Sequence, residues 1–129
     1  MKLRLRTNSI RLRLTKSEVD ELVSTGTVTE LVSFGPDPEQ QLMYAVEARE
    51  SDKIGCDYLP GSITVHLPSH DAATWAQSDQ VGFNVEINVG AGETLTVIVE
   101  KDFKCLSDRP GEDESDAYPH PEEAKDHTC

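Results

Sequence analysis

The fold is decided by residues 9–48, SIRLRLTKSEVDELVSTGTVTELVSFGPDPEQQLMYAVEA, because a divergent copy follows at residues 62–101, SITVHLPSHDAATWAQSDQVGFNVEINVGAGETLTVIVEK. The two stretches align without a gap, and eight of their forty positions are identical. Seven of these eight lie at apolar or turn positions of the same predicted elements, which favours an internal repeat. The identical pairs are Ser9/Ser62, Ile10/Ile63, Leu14/Leu67, Val28/Val81, Val32/Val85, Leu42/Leu95, Val46/Val99 and Glu47/Glu100.

Each copy begins with a strand that leads into a helix. Apolar and polar residues alternate at 10–14 and again at 63–67, which predicts two strands with one buried face each. Thr15 and Ser69 are placed to cap the helices that follow, since a hydroxyl at this position accepts a hydrogen bond from the first turn.

Each copy ends with a hairpin. The strands predicted over Val28–Phe34 and Leu42–Val46 are joined by GPDPEQQ, and those over Val81–Ile87 and Leu95–Val99 are joined by NVGAGET. Both connections are rich in turn residues, so each pair of strands is predicted to be antiparallel.

One more strand precedes each copy. A turn at Thr7-Asn8 would place Arg4 opposite Arg11, and the turn dipeptide Pro60-Gly61 occupies the matching place in the second copy. The repeating unit is therefore β-β-α-β-β. We predict an α+β domain over residues 1–106, built of repeats 1–53 and 54–106 that pack as one pseudo-twofold body, either a pseudo-dimeric monomer or a homodimer.

The first copy resembles a known domain. The pattern Arg4-x-x-x-Asn8-Ser9-x-x-x-Arg13-Leu14, followed by a capped helix and a hairpin, is similar to the swapped-hairpin domain of AbrB- and MazE-type bacterial regulators and antitoxins. The resemblance implies that the two halves interleave their hairpins into one small barrel. It also implies that Arg4, Asn8 and Arg13 contact DNA.

The second copy departs from this pattern. Asp57, Gly61 and His66 stand where Arg4, Asn8 and Arg13 stand in the first copy. A twofold DNA reader would thereby lose half of its phosphate contacts, which weakens binding steeply. The chain as a whole, with VEKDFKCL and its acidic, proline-rich end, also resembles a bacterial family of unknown function, which implies no activity.

Charge is distributed unevenly along the chain. The formal net charge is -12, yet residues 1–16 contain basic side chains and no acidic one. A net anion is repelled by nucleic acid and by anionic membranes, so binding to either needs a local basic patch. The candidate anion-binding or nucleic-acid-binding residues are Arg4, Arg6, Asn8, Arg11 and Arg13. The alternative is that these arginines keep an exposed face soluble and pair with acids of the same chain.

The C-terminal segment has a different composition. Residues 107–129, SDRPGEDESDAYPHPEEAKDHTC, are acidic and contain three prolines, which predicts an extended or disordered tail. Tyr118 is the one aromatic residue in this tail and is a candidate to dock on the folded body.

Four side chains in and near the tail are candidate ligands for a transition metal: Cys105, His120, His127 and Cys129. Two thiols and two imidazoles suit Zn²⁺ or Cu⁺. The two cysteines are far apart and no Cys-x-x-Cys is present, so the spacing matches no zinc finger. A solvated tail that ends in a thiol, and a redox or cross-linking role for that thiol, remain as alternatives.

Three function classes follow from these observations. The first is a small non-enzymatic binding or regulatory protein whose tail holds zinc or copper, and the second is a DNA-binding regulator or antitoxin-like protein. The third is a protein-interaction module with an acidic tail. No glycine-rich phosphate loop, Gly-x-Ser-x-Gly or His-Glu-x-x-His is present, so we expect no enzyme. The sequence contains no secretory leader and no long apolar run, so we expect a cytoplasmic protein that does not enter a membrane. We also expect a protein partner.

Overall fold

The computed structural model of the chain describes residues 1–103, Asp116 and Tyr118. This part of the chain is α+β, with eight strands in two sheets and two helices. The strands are β1 Lys2–Arg6, β2 Ser9–Leu14, β3 Thr27–Ser33, β4 Gln41–Arg49, β5 Gly55–Leu59, β6 Ser62–Pro68, β7 Gly82–Gly90 and β8 Glu93–Lys101. The helices are α1 Lys16–Thr25 and α2 Ser69–Gln77. Neither of these two helices is long and apolar enough to span a membrane.

Each sheet joins a hairpin from the first half of the chain to one from the second. The first sheet has the order β1-β2-β8-β7, and the second sheet has the order β3-β4-β6-β5. Neighbouring strands are antiparallel except in the middle of each sheet, where β2 lies parallel to β8 and β4 lies parallel to β6. Arg4 lies opposite Arg11 and Leu5 lies opposite Ile10, which confirms the register predicted for the first hairpin.

The two sheets are open and do not close into the barrel that the resemblance implies. They end in the edge strands β1, β7, β3 and β5. The start of β1 contacts the second sheet through side chains. The ammonium group of Met1 forms ion pairs with Glu18 and, at 3.0 Å, with Glu30, and the hydroxyl of Tyr44 donates to the Met1 carbonyl at 3.2 Å. Burial lowers the pKa of this ammonium group, but its hydrogen bonds to Glu18 and Glu30 outweigh burial and raise it.

The core is formed by the inner faces of both sheets together with one side of each helix. Its fully buried side chains are chiefly leucine and valine, and Trp75 of α2 is the largest of them. The indole Nε1 of Trp75 donates to the Val81 carbonyl at 3.2 Å, and the ring packs edge-on against Phe83 at a centroid distance of 5.4 Å. The indole therefore has both an apolar site and a hydrogen-bond partner.

The two helices begin differently. Thr15 caps α1, as predicted, and it does so in a capping box with Glu18. Gly26 ends this helix with a φ of 89°. The prediction that Ser69 caps α2 is wrong. Pro68 is at once the last residue of β6 and the residue before the helix, so Ser69 is already inside the first turn and no side chain caps it.

Candidate anion-binding site on the first sheet

The first two strands carry a row of basic side chains on the outer face of the first sheet. Successive side chains of a strand point to opposite faces, so the leucines of β1 and β2 point inward and the basic residues point outward. The register sets Lys2 opposite Arg13, Arg4 opposite Arg11, and Arg6 opposite Ser9. We call the outer face formed by these residues the cationic face. Its basic residues are Lys2, Arg4, Arg6, Arg11 and Arg13.

Part of this charge is compensated by two acids from the end of β8. Glu100 accepts a hydrogen bond from Arg13 Nε at 2.8 Å, and Arg11 Nε lies 3.6 Å from the same carboxylate oxygen. Lys2 Nζ lies 3.2 Å from Asp102, whose side chain is 7% exposed. The buried Asp102 and the half-buried Glu100 therefore act as internal counter-ions.

Arg4 and Arg6 differ from the rest of the cationic face. Among the residues that the structure describes, no acidic side chain pairs with either of them. With Ser9 and Arg11 they line a depression of about 180 Å³, and Arg4 and Arg11 also line a second one of about 160 Å³. Like charges directly opposite one another destabilise a sheet. An external anion placed between these guanidinium groups would remove that repulsion.

Asn8, the fifth candidate residue, has a structural role in the turn. Its φ is 49°, a left-handed conformation that asparagine tolerates better than most residues. Its side-chain amide donates to the Thr94 carbonyl at 2.6 Å, and its own carbonyl accepts from Thr96 N at 3.0 Å. The first hairpin is thereby fastened to β8, which fixes where the arginines stand.

The corresponding face of the second sheet is not cationic. There Asp57 lies opposite Thr64, in the place of the Arg4 and Arg11 pair. Arg49 on β4 lies near this face and donates to Glu47 at 2.9 Å and to Asp57 at 3.1 Å. These hydrogen bonds, that to Glu47 first, raise the pKa of Arg49. The candidate site is therefore present on one sheet only.

Cys56 and His66 stand on the paired strands β5 and β6 but on opposite faces of the second sheet. Cys56 faces inward opposite Val65, and burial raises the pKa of its thiol. The ring of His66 lies on the outer face over Gly55, where a Cβ would come within 2.3 Å of Nε2. Within the described residues, no group of three or more His, Cys, Asp or Glu side chains could hold a metal ion.

The predicted zinc or copper ligands, Cys105, His120, His127 and Cys129, lie outside the described residues. Two positions of the tail are described, and one of them confirms the expected docking of Tyr118. Its backbone N–H donates to the Asp102 carbonyl at 2.8 Å, and its ring lies 5.6 Å from that of Phe103. Burial, followed by the charges of Asp20 and Asp116, raises the pKa of Tyr118 to about 12.

Asp116, the other described residue of the tail segment, contacts the start of α1. Its carboxylate accepts hydrogen bonds from the backbone N–H and the hydroxyl of Ser17, and these lower its pKa. A carboxylate at a helix N-terminus satisfies a backbone donor and interacts favourably with the helix dipole. Nothing in the acidic tail sequence distinguishes Asp116 from its neighbours.

The expected pairing of the basic face with acids of the same chain is confirmed for Lys2, Arg11 and Arg13. The sequence prediction did not identify the acids, although one signal points to Glu100. Glu47 and Glu100 are an identical pair in the repeat alignment and are its one identical charged pair. In the structure each accepts a hydrogen bond from an arginine, Glu47 from Arg49 and Glu100 from Arg13.

Comparison with known proteins assigns the chain to a family whose function is unknown. No curated protein and no solved structure matches the chain. The resemblance to AbrB- and MazE-type domains therefore stays a prediction. Residues 1–122 match the model of a family of unknown function, DUF7009, as the resemblance of the whole chain to such a family led us to expect. Because the match spans most of the sequence, the chain belongs to this family of unknown function.

Proposed function

We propose that this protein is a non-enzymatic binding module that holds an anionic partner on its cationic face. The observation that carries the proposal is the absence, among the described residues, of an acidic partner for Arg4 and Arg6, while the other basic side chains of the face have one. Guanidinium groups donate in a fixed fork that matches carboxylate and phosphate oxygens. An anion bound there would form charge-assisted hydrogen bonds and relieve the repulsion between Arg4 and Arg11.

The second hypothesis is a DNA-binding regulator. The positions of the basic side chains favour DNA binding through one face of the chain and not through two. Readers of palindromic duplexes present the same basic surface twice, one per half-site. Here the second sheet has Asp57 in the equivalent place, and Arg49 is engaged by two acids. The proposal is therefore a single anion-binding face on each chain.

We also propose that the body is an internal duplication with exchanged hairpins. Three observations support this. The second half begins with the same order of elements as the first, since β5, β6 and α2 correspond to β1, β2 and α1. The first hairpin of each half pairs with the last hairpin of the other half, and both contacts, β2 with β8 and β6 with β4, are parallel. A duplication explains why the two halves share an apolar framework although the arginines occur in the first half alone.

Binding of polyanions at low salt tests the proposed function. The full chain is titrated into labelled polyglutamate and into a labelled DNA duplex, and the Arg4→Ala variant is compared with Lys53→Ala, which removes the same charge from an exposed loop. Loss of a charge-assisted contact of about 1 kcal/mol weakens binding roughly five-fold. We expect that change for Arg4→Ala and a less than about two-fold change for Lys53→Ala. Equal effects of the two variants, or no binding of either polyanion, would contradict the proposal.

A further inference from the structure

We infer that the partner is an acidic segment of polypeptide in extended conformation, which adds to β1 as a fifth strand of the first sheet. The inference rests on the proposed function, because it uses the same cationic face, and it adds the chemical class and the backbone geometry of the ligand.

The backbone of β1 is available for this pairing. In the part of the chain that the structure describes, β1 is an edge strand that pairs with β2 alone. Alternate residues of an edge strand direct their N–H and C=O groups away from the neighbouring strand. A second extended chain can satisfy these groups in the same way that it would inside a sheet.

The side chains of β1 offer a different chemistry on each face. On the outer face, Arg4 and Arg6 have no acidic partner among the described residues. On the inner face, Leu5 is 61% exposed although it lies opposite Ile10, which is 3% exposed and belongs to the core. A strand beside β1 would cover Leu5 with every second side chain. Its remaining side chains would lie within cross-strand distance of the arginines, where carboxylates form ion pairs.

The arrangement of charge favours a peptide over a nucleic acid. The basic side chains stand on β1 and β2, and no basic residue follows them in their rows across β8 and β7. The row of Arg13 continues with Glu100, the row of Arg6 ends with Glu86, and the row of Arg4 and Arg11 continues with Ile98 and Asn84. A phosphate backbone that crossed the sheet would meet a carboxylate or a neutral side chain beyond β2, but a strand that runs along β1 stays beside Lys2, Arg4 and Arg6. The described rows of this face carry no aromatic side chain on which bases could stack. A net charge of -12 also repels a long polyanion more than a short peptide.

Backbone N-methylation separates strand addition from simple charge attraction. The probe is an eight-residue peptide of alternating glutamate and valine, measured against the full chain at low salt. Two further forms carry N-methyl groups on alternate residues, one form on the glutamates and the other on the valines. They keep every side chain and all charge, but each loses the hydrogen-bond donors of one edge. The protein variants are Arg6→Ala, Leu5→Ser and the control Lys53→Ala.

We expect the unmethylated peptide to bind, and one N-methylated form to bind at least ten-fold more weakly than the other, because only one edge of the peptide faces β1. Arg6→Ala is expected to weaken binding about five-fold and Leu5→Ser about three-fold, while Lys53→Ala changes it less than two-fold. Equal affinity of the two N-methylated forms overturns strand addition. A DNA duplex that binds ten-fold more tightly than the peptide, with loss on Arg4→Ala, overturns the inference but leaves the proposed function standing. Failure of both probes to bind refutes both proposals.

Discussion

Replacing Glu100 by glutamine tests whether this carboxylate is an internal counter-ion of the cationic face. The side chain is 20% exposed, lies 2.8 Å from Arg13 Nε and 3.6 Å from Arg11 Nε, and stands on the central strand β8. Glutamine keeps the size of the side chain and one acceptor oxygen, but it removes the charge. The change should therefore lower stability and raise affinity for an external anion.

The size of both effects follows from these contacts. One charge-assisted hydrogen bond and one longer ion pair are weakened at a partly exposed site, which is worth about 1–2 kcal/mol of unfolding free energy. For a body of this size, a loss of 1 kcal/mol lowers Tm by roughly 3–6 °C. The two guanidinium groups that lose their counter-ion gain about 1 kcal/mol of attraction to a bound anion, which is roughly a five-fold gain in affinity.

Two assays on the same samples measure these opposite changes. Urea unfolding gives the stability, and fluorescence anisotropy with labelled polyglutamate at low salt gives the affinity. Glu86→Gln is the matched control, because Glu86 lies on the same face on β7 and forms no ion pair within the described residues. Affinity that falls in Glu100→Gln, or that rises equally in Glu86→Gln, would refute the assignment of Glu100 as the internal counter-ion.

Three further predictions concern the body and the tail. Trp75→Phe removes the hydrogen bond to the Val81 carbonyl and leaves a small cavity, so we expect a loss of about 1–2 kcal/mol in urea unfolding followed by circular dichroism; an unchanged midpoint would contradict the packing described. Gly55→Ala places a Cβ 2.3 Å from His66 Nε2 and should lower the free energy of unfolding by about 1–3 kcal/mol, but by little when His66→Ala is also present. A double-mutant cycle that shows no coupling would mean that the imidazole ring does not clash with the new methyl group. The pKa of Tyr118 is raised to about 12, so the folded state keeps a proton that the unfolded state loses near pH 10. The stability contributed by this group is complete below pH 10 and is lost as the pH rises through 12. The ultraviolet difference titration between the wild type and Tyr118→Phe should accordingly have its midpoint near 12, and a midpoint near 10 would mean that the phenol is not docked.

The sequence predicts the elements well because their signals are local. Alternation of apolar and polar residues is enough to assign the buried faces of β2 and β6, and the capping residue Thr15 marks the start of α1. The hairpin register follows from the two-residue turn at Thr7-Asn8, which is why the opposition of Arg4 and Arg11 was predictable.

Features that depend on contacts between distant segments were not predictable in the same way. Closure into a barrel depends on whether edge strands of the two sheets pair. Met1, next to the edge strand β1, contacts Glu30 of the edge strand β3 through an ion pair, and β1 and β3 belong to separate sheets. The prediction of a Ser69 cap fails because Pro68 is both the last residue of β6 and the residue that precedes α2. The pairing of Glu100 with the arginines requires the parallel contact of β2 with β8, which no local pattern reveals.

Nuclear magnetic resonance of the labelled full chain shows whether Arg4 and Arg6 bind an external anion. Acidic peptide is titrated in at low salt while the arginine Nε signals and backbone amides are followed. We expect saturable shifts that are largest at Arg4 and Arg6 and in the amides of β1 and β2, with small shifts around Arg49 on the second sheet. Shifts that centre on Arg49, or that are equal on the two sheets, would refute anion binding by Arg4 and Arg6.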